Sequence, residues 1–122
     1  MKYIQFNMVK AVAAIILMGA FSTANAVQVA ETTITISSIR TSENTGNVYI
    51  YPVETVEELN GSCDNLSGYS IDKNYELFNQ IYSSLLTAAT SGKKVDIWVS
   101  LEDNDCINQF QKIRVVEILF NK

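Results

Sequence analysis

One stretch governs what this chain can fold into: Lys73–Ser91 (KNYELFNQIYSSLLTAATS), closed by Gly92. Tyr75, Phe78, Tyr82, Leu85 and Ala89 recur at spacings of three and four, and Leu77, Ile81 and Leu86 widen the stripe. The opposite face carries Glu76, Asn79, Gln80, Ser83, Ser84 and Thr87. That 3.6-residue period predicts an amphipathic helix over 73–91 with one face on a core. Asp72 is placed to cap its start, and Glu76 suits the positive helix end. Gly92 suits the left-handed residue that ends a helix, with Lys93 and Lys94 near the negative end. Tyr75 and Tyr82 read as core rings with their hydroxyls at the rim; a ligand-binding aromatic pair is the other reading.

Everything past residue 30 on either side of this helix reads as strand. Val27–Ala30 is a short frayed leader to the first of them, Thr32–Arg40 (TTITISSIR), which is dense in β-branched residues and puts Ile34 and Ile36 on one face. Its parity breaks at Ser38–Ile39, which predicts a bulge. Thr41–Gly46 is a turn by composition. In Asn47–Val53 (NVYIYPV), Val48 and Ile50 share one face, Tyr49 and Tyr51 the other, and Pro52 ends the strand or sits at an edge. Glu54–Asn60 is acidic and without clear period, Gly61–Gly68 is turn-rich, and Tyr69–Ile71 is a short third strand. After the helix, Lys94–Leu101 (KVDIWVSL) alternates cleanly, with Val95, Ile97, Val99 and Leu101 opposite Asp96, Trp98 and Ser100. Gln111–Phe120 (QKIRVVEILF) is apolar on both faces near its end, as in a strand that is central or covered on both sides.

The first 26 residues read as a secretion signal: Lys2 and Lys10, the apolar run Ala11–Phe21, and the small-x-small end Ala24-Asn25-Ala26. The apolar run is shorter than the roughly 20 residues a membrane-spanning helix needs, so no span is expected after processing. Residues 27–122 then form a single domain. Removing Lys2 and Lys10 leaves seven basic against thirteen acidic residues, a net charge of −6. This argues against nucleic acid and against docking on anionic membranes. Cys63 and Cys106, the two cysteines of a chain bound for an oxidising compartment, the periplasm or the exterior, are expected to form a disulfide across the helix. Loop-closure entropy for about forty enclosed residues gives roughly 4 kcal/mol.

The usual catalytic chemistry is missing. The chain has no histidine, which removes the ordinary general base, the usual triads and most zinc sites. It has no phosphate-binding or dinucleotide glycine pattern. Glu54, Glu57 and Glu58 read as a solvated turn rather than a glycosidase pair. Glu102, Asp103, Asn104 and Asp105 read as a solvated acidic loop or a calcium site; the EF-hand positions that need glycine and a final carboxylate hold Asn108 and Arg114. No cofactor is expected. Trp98 carries more information: alternation points it away from the aliphatic face, as it does Tyr49 and Tyr51. Either such rings are covered by the protein's own helix and loops, or they anchor a subunit interface or ligand platform, with sugar recognition suited to aromatics beside Asn and Asp.

The order β-β-β-α-β-β, with the helix between strands three and four, predicts an α+β domain: a small five-stranded OB-like barrel with one inserted helix and one disulfide. With its leader removed, the chain resembles the small OB-fold binding subunits of AB5-type bacterial toxins, most of all the subtilase-cytotoxin and pertussis-like branch. The resemblance rests on "TAATSGKKVDIWV" (Thr87–Val99), on a cysteine before the helix and one after strand four, and on "KIRVVEI" (Lys112–Ile118). It implies a homopentamer with helices near a central pore, host-glycan sites on the surface, and a catalytic A subunit as partner. It assigns no binding residue; Trp98, Tyr49 and Tyr51 are the candidates from strand alternation. The expected function is therefore that of an exported, non-catalytic module binding a glycan or protein ligand as a homo-oligomer. The alternative is a monomeric periplasmic inhibitor or protective protein acting by protein–protein binding.

Overall fold

The computed structural model describes residues 28–121, so the expected signal segment 1–26 lies outside the described residues. The chain forms β1 (Val29–Ile34), β2 (Ile36–Thr41), β3 (Val48–Pro52), β4 (Tyr69–Ile71), one helix α1 (Phe78–Ser91), β5 (Lys94–Ser100), β6 (Cys106–Ile107) and β7 (Phe110–Leu119). Among the described residues it is a mostly-sheet domain with one helix and one disulfide. The sheet has seven strands in the open order β1-β5-β7-β4-β3-β2, with β6 on β7, rather than the five strands of a closed barrel. Neighbours are antiparallel except β4 and β7, which run parallel.

One of the two extra strands comes from a break. β1 and β2 are separated by Thr35 alone yet stand at opposite ends of the strand order. Glu54 fixes the break. Its carboxylate accepts the Thr35 N–H at 2.8 Å and the Thr35 hydroxyl at 2.8 Å, while the Thr35 carbonyl accepts the Val53 N–H at 2.8 Å. Every polar group that the break withdraws from the ladder is thereby satisfied. The expected bulge falls between Ile36 and Ser38 and brings Ile36 and Ile39 both onto the core. Val29 and Ala30, read as a frayed leader, are paired with Ser100 and Val99 of β5. The other extra strand, β6, folds back on β7 through Asn108 and Gln109, both at positive φ.

α1 starts five residues later than its apolar period suggests. Asp72 does use its carboxylate as a cap, but on the Asn74 N–H at 2.9 Å, closing a turn. Tyr75 N–H follows onto the Asp72 carbonyl, and Phe78 N–H onto that of Tyr75. Tyr75 is thus drawn out of the helix to β7, where its hydroxyl donates to the Arg114 carbonyl at 3.1 Å and its ring lies under the Arg114 guanidinium. Gly92 ends the helix at φ 69°, with its N–H on the Ala89 carbonyl and the Lys93 N–H on that of Ala88. This is the left-handed closure that glycine adopts without strain. Ile81, Leu85 and Ala88 are the buried face, joined by half-buried Phe78 and Tyr82, whereas Leu77 and Leu86 are exposed.

The core lies between α1 and the sheet, around Ile34, Val48, Ile50, Tyr69, Ile71, Leu85, Val95, Ile97, Val99 and Ile113. At about 1.5–3 kcal/mol for each fully buried aliphatic side chain, the Val95–Ile97–Val99 row alone justifies the clean alternation of β5. The long segment 53–68 is held by polar groups. Buried Gln111 accepts the Leu59 and Asn60 N–H groups at 2.8 and 2.7 Å and donates to the Glu57 carbonyl at 2.9 Å. Buried Asn60 donates to the Ser100 and Glu102 carbonyls at 2.8 and 2.9 Å. Cys63 and Cys106 are joined, as export chemistry predicts, and pin the same segment to the start of β6.

Candidate functional site

The strand pairing puts the three candidate aromatics in two places. β5 lies three steps from β3 in the sheet, roughly 14 Å at the usual strand spacing. Trp98 therefore stands apart from Tyr49 and Tyr51 along the sheet, and the three form no single platform.

Tyr49 and Tyr51 sit in a closed cluster. Tyr49, expected to point outward, is only 2% exposed. Its ring packs on Phe110 at 4.8 Å between centroids, and its hydroxyl accepts the Asn108 side-chain N–H at 2.7 Å. Tyr51 meets Phe110 edge-on at 6.2 Å. Gly68 permits this packing: a Cβ there would lie 2.6 Å from the Ile50 carbonyl oxygen and 3.3 Å from Phe110. The exposed Arg40 guanidinium lies over both tyrosine rings, at 4.9 and 5.7 Å. β-strand alternation could not anticipate this, because the cover comes from the β6–β7 turn.

Trp98 keeps the outward position alternation gave it. Val95, Ile97 and Val99 are fully buried, and Trp98 is half-buried on the other face of β5. Its register partners are Glu31 on β1 and Val115 on β7. Val115 is 47% exposed, so the outward face of β7 is not covered as the apolar sequence of that strand suggested, although the strand is central in its pairing. Val115 also lines a groove between β7 and α1 with Leu77, Ile81, Ser84 and Val116; its volume is about 210 Å³. Leu77, at 43% exposure, forms its far wall. The one sequence trace of it is the adjacent pair Val115–Val116, since neighbouring residues in a regular strand face opposite sides and one of the two valines must leave the core.

Beside Trp98 on the same face stands Asp96, directly opposite Glu117 in the β5–β7 register. Asp96 accepts a hydrogen bond from the Thr33 hydroxyl. Among the described residues neither carboxylate is in an ion pair.

The acidic loop is solvated at Glu102, Asp103 and Asn104, as one sequence reading has it, and departs from that reading only at Asp105. Its four polar residues do not converge, and no group of three or more acidic, histidine or cysteine side chains that could hold a metal occurs among the described residues. Asp105 turns inward to Lys112 at 2.7 Å and Arg114 at 3.6 Å, and Lys112 also reaches Asp72 at 3.5 Å. Burial pushes the Asp105 carboxyl up, but the Lys112 hydrogen bond, the Ser100 hydroxyl and the two cations outweigh it and hold the group below the ordinary carboxylate range. Its second oxygen is buried and receives no hydrogen bond, only the facing guanidinium. Glu54 is likewise committed, to Thr35 and to Lys94 at 3.4 Å. Burial acts upward on it too, and the Thr35 and Lys94 bonds bring its carboxyl below the usual value.

Among the described residues no helix is long and apolar enough to cross a membrane. Comparison with protein-family models, curated proteins and solved structures gives no match.

Proposed function

We propose that this chain is an exported, non-catalytic binding module, similar in plan to the small binding subunits of AB5-type toxins. It acts as a homo-oligomer, a pentamer on that plan, on a glycan or protein ligand, with a catalytic A subunit as partner. Export is supported by the leader pattern in residues 1–26 and by the disulfide, which belongs to the periplasm or the exterior. The OB-like reading is supported by the break at Thr35. Taking β1 and β2 as one bent strand and β6 as an appendage leaves five strands in the circuit 1-2-3-5-4-1, with α1 between the third and fourth.

The observation that carries the binding role is Trp98, half-buried on a strand whose other face is fully buried and flanked by exposed Val115. Aromatics in such positions concentrate association energy. Trp98→Ala should weaken assembly or ligand binding by about 2 kcal/mol or more while the monomer still folds. A thermal melt and a native-mass measurement on the variant check this. A loss of about 3–5 kcal/mol of folding stability, as for a core aromatic, with assembly otherwise unchanged, refutes it. The alternative, a monomeric inhibitor or protective protein, is favoured by the carboxylates beside Trp98, which suit a protein partner. A native mass equal to one chain at all concentrations selects it.

A further inference from the structure

We propose that the outward face of β5 and β7 docks a segment of another protein that presents a lysine or arginine beside an apolar side chain. The proposal rests on the reading of the Trp98 face as a binding face and names what that face takes.

Two features meet on it. The first is an apolar strip. Trp98 and Val115 are cross-strand partners, and Val115 is shared with the groove whose far wall is Leu77. The second is a like-charge pair. Asp96 and Glu117 stand directly opposite each other two register positions along from Trp98, on the same outward face. Opposed like charges on paired strands are destabilising, so the free protein carries a cost at this spot. Among the described residues no cation pairs with either carboxylate. Lys94, the nearest on β5, is bonded to Thr35 and Glu54. Arg114, which borders the groove, faces Asp105 and lies on the Tyr75 ring. A partner's cation set between Asp96 and Glu117 would relieve the repulsion while the neighbouring apolar side chain covers Trp98 and Val115. Charge-depleted apolar centres with complementary charges at the rim are what protein interfaces present.

Trp98 is the single tryptophan, so its fluorescence reports on this face directly. The probe is an acetylated, amidated eight-residue peptide alternating lysine and valine, with the glutamate–valine peptide as its control. The lysine peptide should shift the fluorescence saturably and lose affinity with added salt, and the glutamate peptide should do neither. By calorimetry, Trp98→Ala and the double variant Asp96→Asn/Glu117→Gln should each weaken binding at least tenfold. The double variant Glu43→Gln/Glu76→Gln, which has the same net charge but alters exposed positions elsewhere, should bind as the parent does. Equal binding of both peptides, or equal weakening by the two double variants, overturns the proposal. So does a fluorescence response to a neutral oligosaccharide with none to the lysine peptide. Self-association that Trp98→Ala abolishes and the peptide does not compete with makes a second copy the occupant and also overturns it. In those last two outcomes the Trp98 binding role itself stands, so the failures are distinguishable.

Discussion

Replacing Gln111 by leucine tests how the long segment before β4 is held. Gln111 is fully buried and spends its amide on three backbone groups, the N–H of Leu59 and Asn60 and the carbonyl of Glu57. Leucine is close in volume, so the change removes polar partners with little cavity. Each backbone group left unpaired in this buried or part-buried place costs about 1–3 kcal/mol, giving roughly 3–6 kcal/mol after local relaxation. For a domain of this size the lower figure is a fall in melting temperature of about 12 °C or more. Thermal and urea unfolding with the disulfide intact measure it. Gln111→Glu adds a second test. Its carboxylate keeps two acceptors but loses the donor to Glu57 and is ionised in a buried place, so its folded-state pKa is raised. A raised acid is destabilising above that pKa, and the variant should regain stability as pH falls toward the unfolded carboxylate value of about 4.3. A loss under about 1 kcal/mol for the leucine variant, or a pH slope for the glutamate variant parallel to the parent, refutes the account of the segment's anchorage.

Removing the disulfide by Cys63→Ala/Cys106→Ala should cost about 4 kcal/mol by loop-closure entropy, read as a lower denaturant midpoint. Gly68→Ala should cost about 1–3 kcal/mol through overpacking on the Ile50 carbonyl and Phe110, and circular dichroism in the aromatic region should report the disturbed Tyr49–Phe110 packing. Glu54 and Asp105 are held below their ordinary values of 4.5 and 3.8. Their contributions are therefore full above those values and lost as pH falls through the lower folded-state ones. Stability should decline on acidification below about pH 4.5, and Asp105→Asn should flatten the lower part of that decline; an unchanged profile refutes the Asp105 assignment.

Local pattern was enough wherever one face is dry and the other wet. β5 and β4 were legible residue by residue, because Val95, Ile97 and Val99 or a Tyr-Ser-Ile triplet leave little choice. The disulfide was legible from compartment logic alone. What escaped depends on distant partners. The start of α1 moved because Arg114, 39 residues away, holds Tyr75 outside the helix. The break at Thr35 depends on Glu54, whose role no local spacing betrays. Of the site, Trp98 was legible from alternation. The burial of Tyr49 was not, since its cover is supplied by Asn108 and Phe110 on the far side of the helix in sequence. The groove at Leu77 and Val115 was not either, because it exists only where a shortened helix meets an uncovered strand.

The pairing of Val29–Ile34 with Val95–Ser100 also sets a timetable for synthesis. The strand made first has its ladder partner some sixty residues downstream, and that partner must in turn be flanked by β7, made last. Non-local pairings of this kind pay their loop-closure entropy before any contact repays it, so they form slowly. A nascent chain therefore emerges with its earliest strand unmatched and stays pliable until its final strand is available. On the export proposed above, such delay is an advantage: the chain stays threadable, and the fold and its disulfide are completed after the crossing.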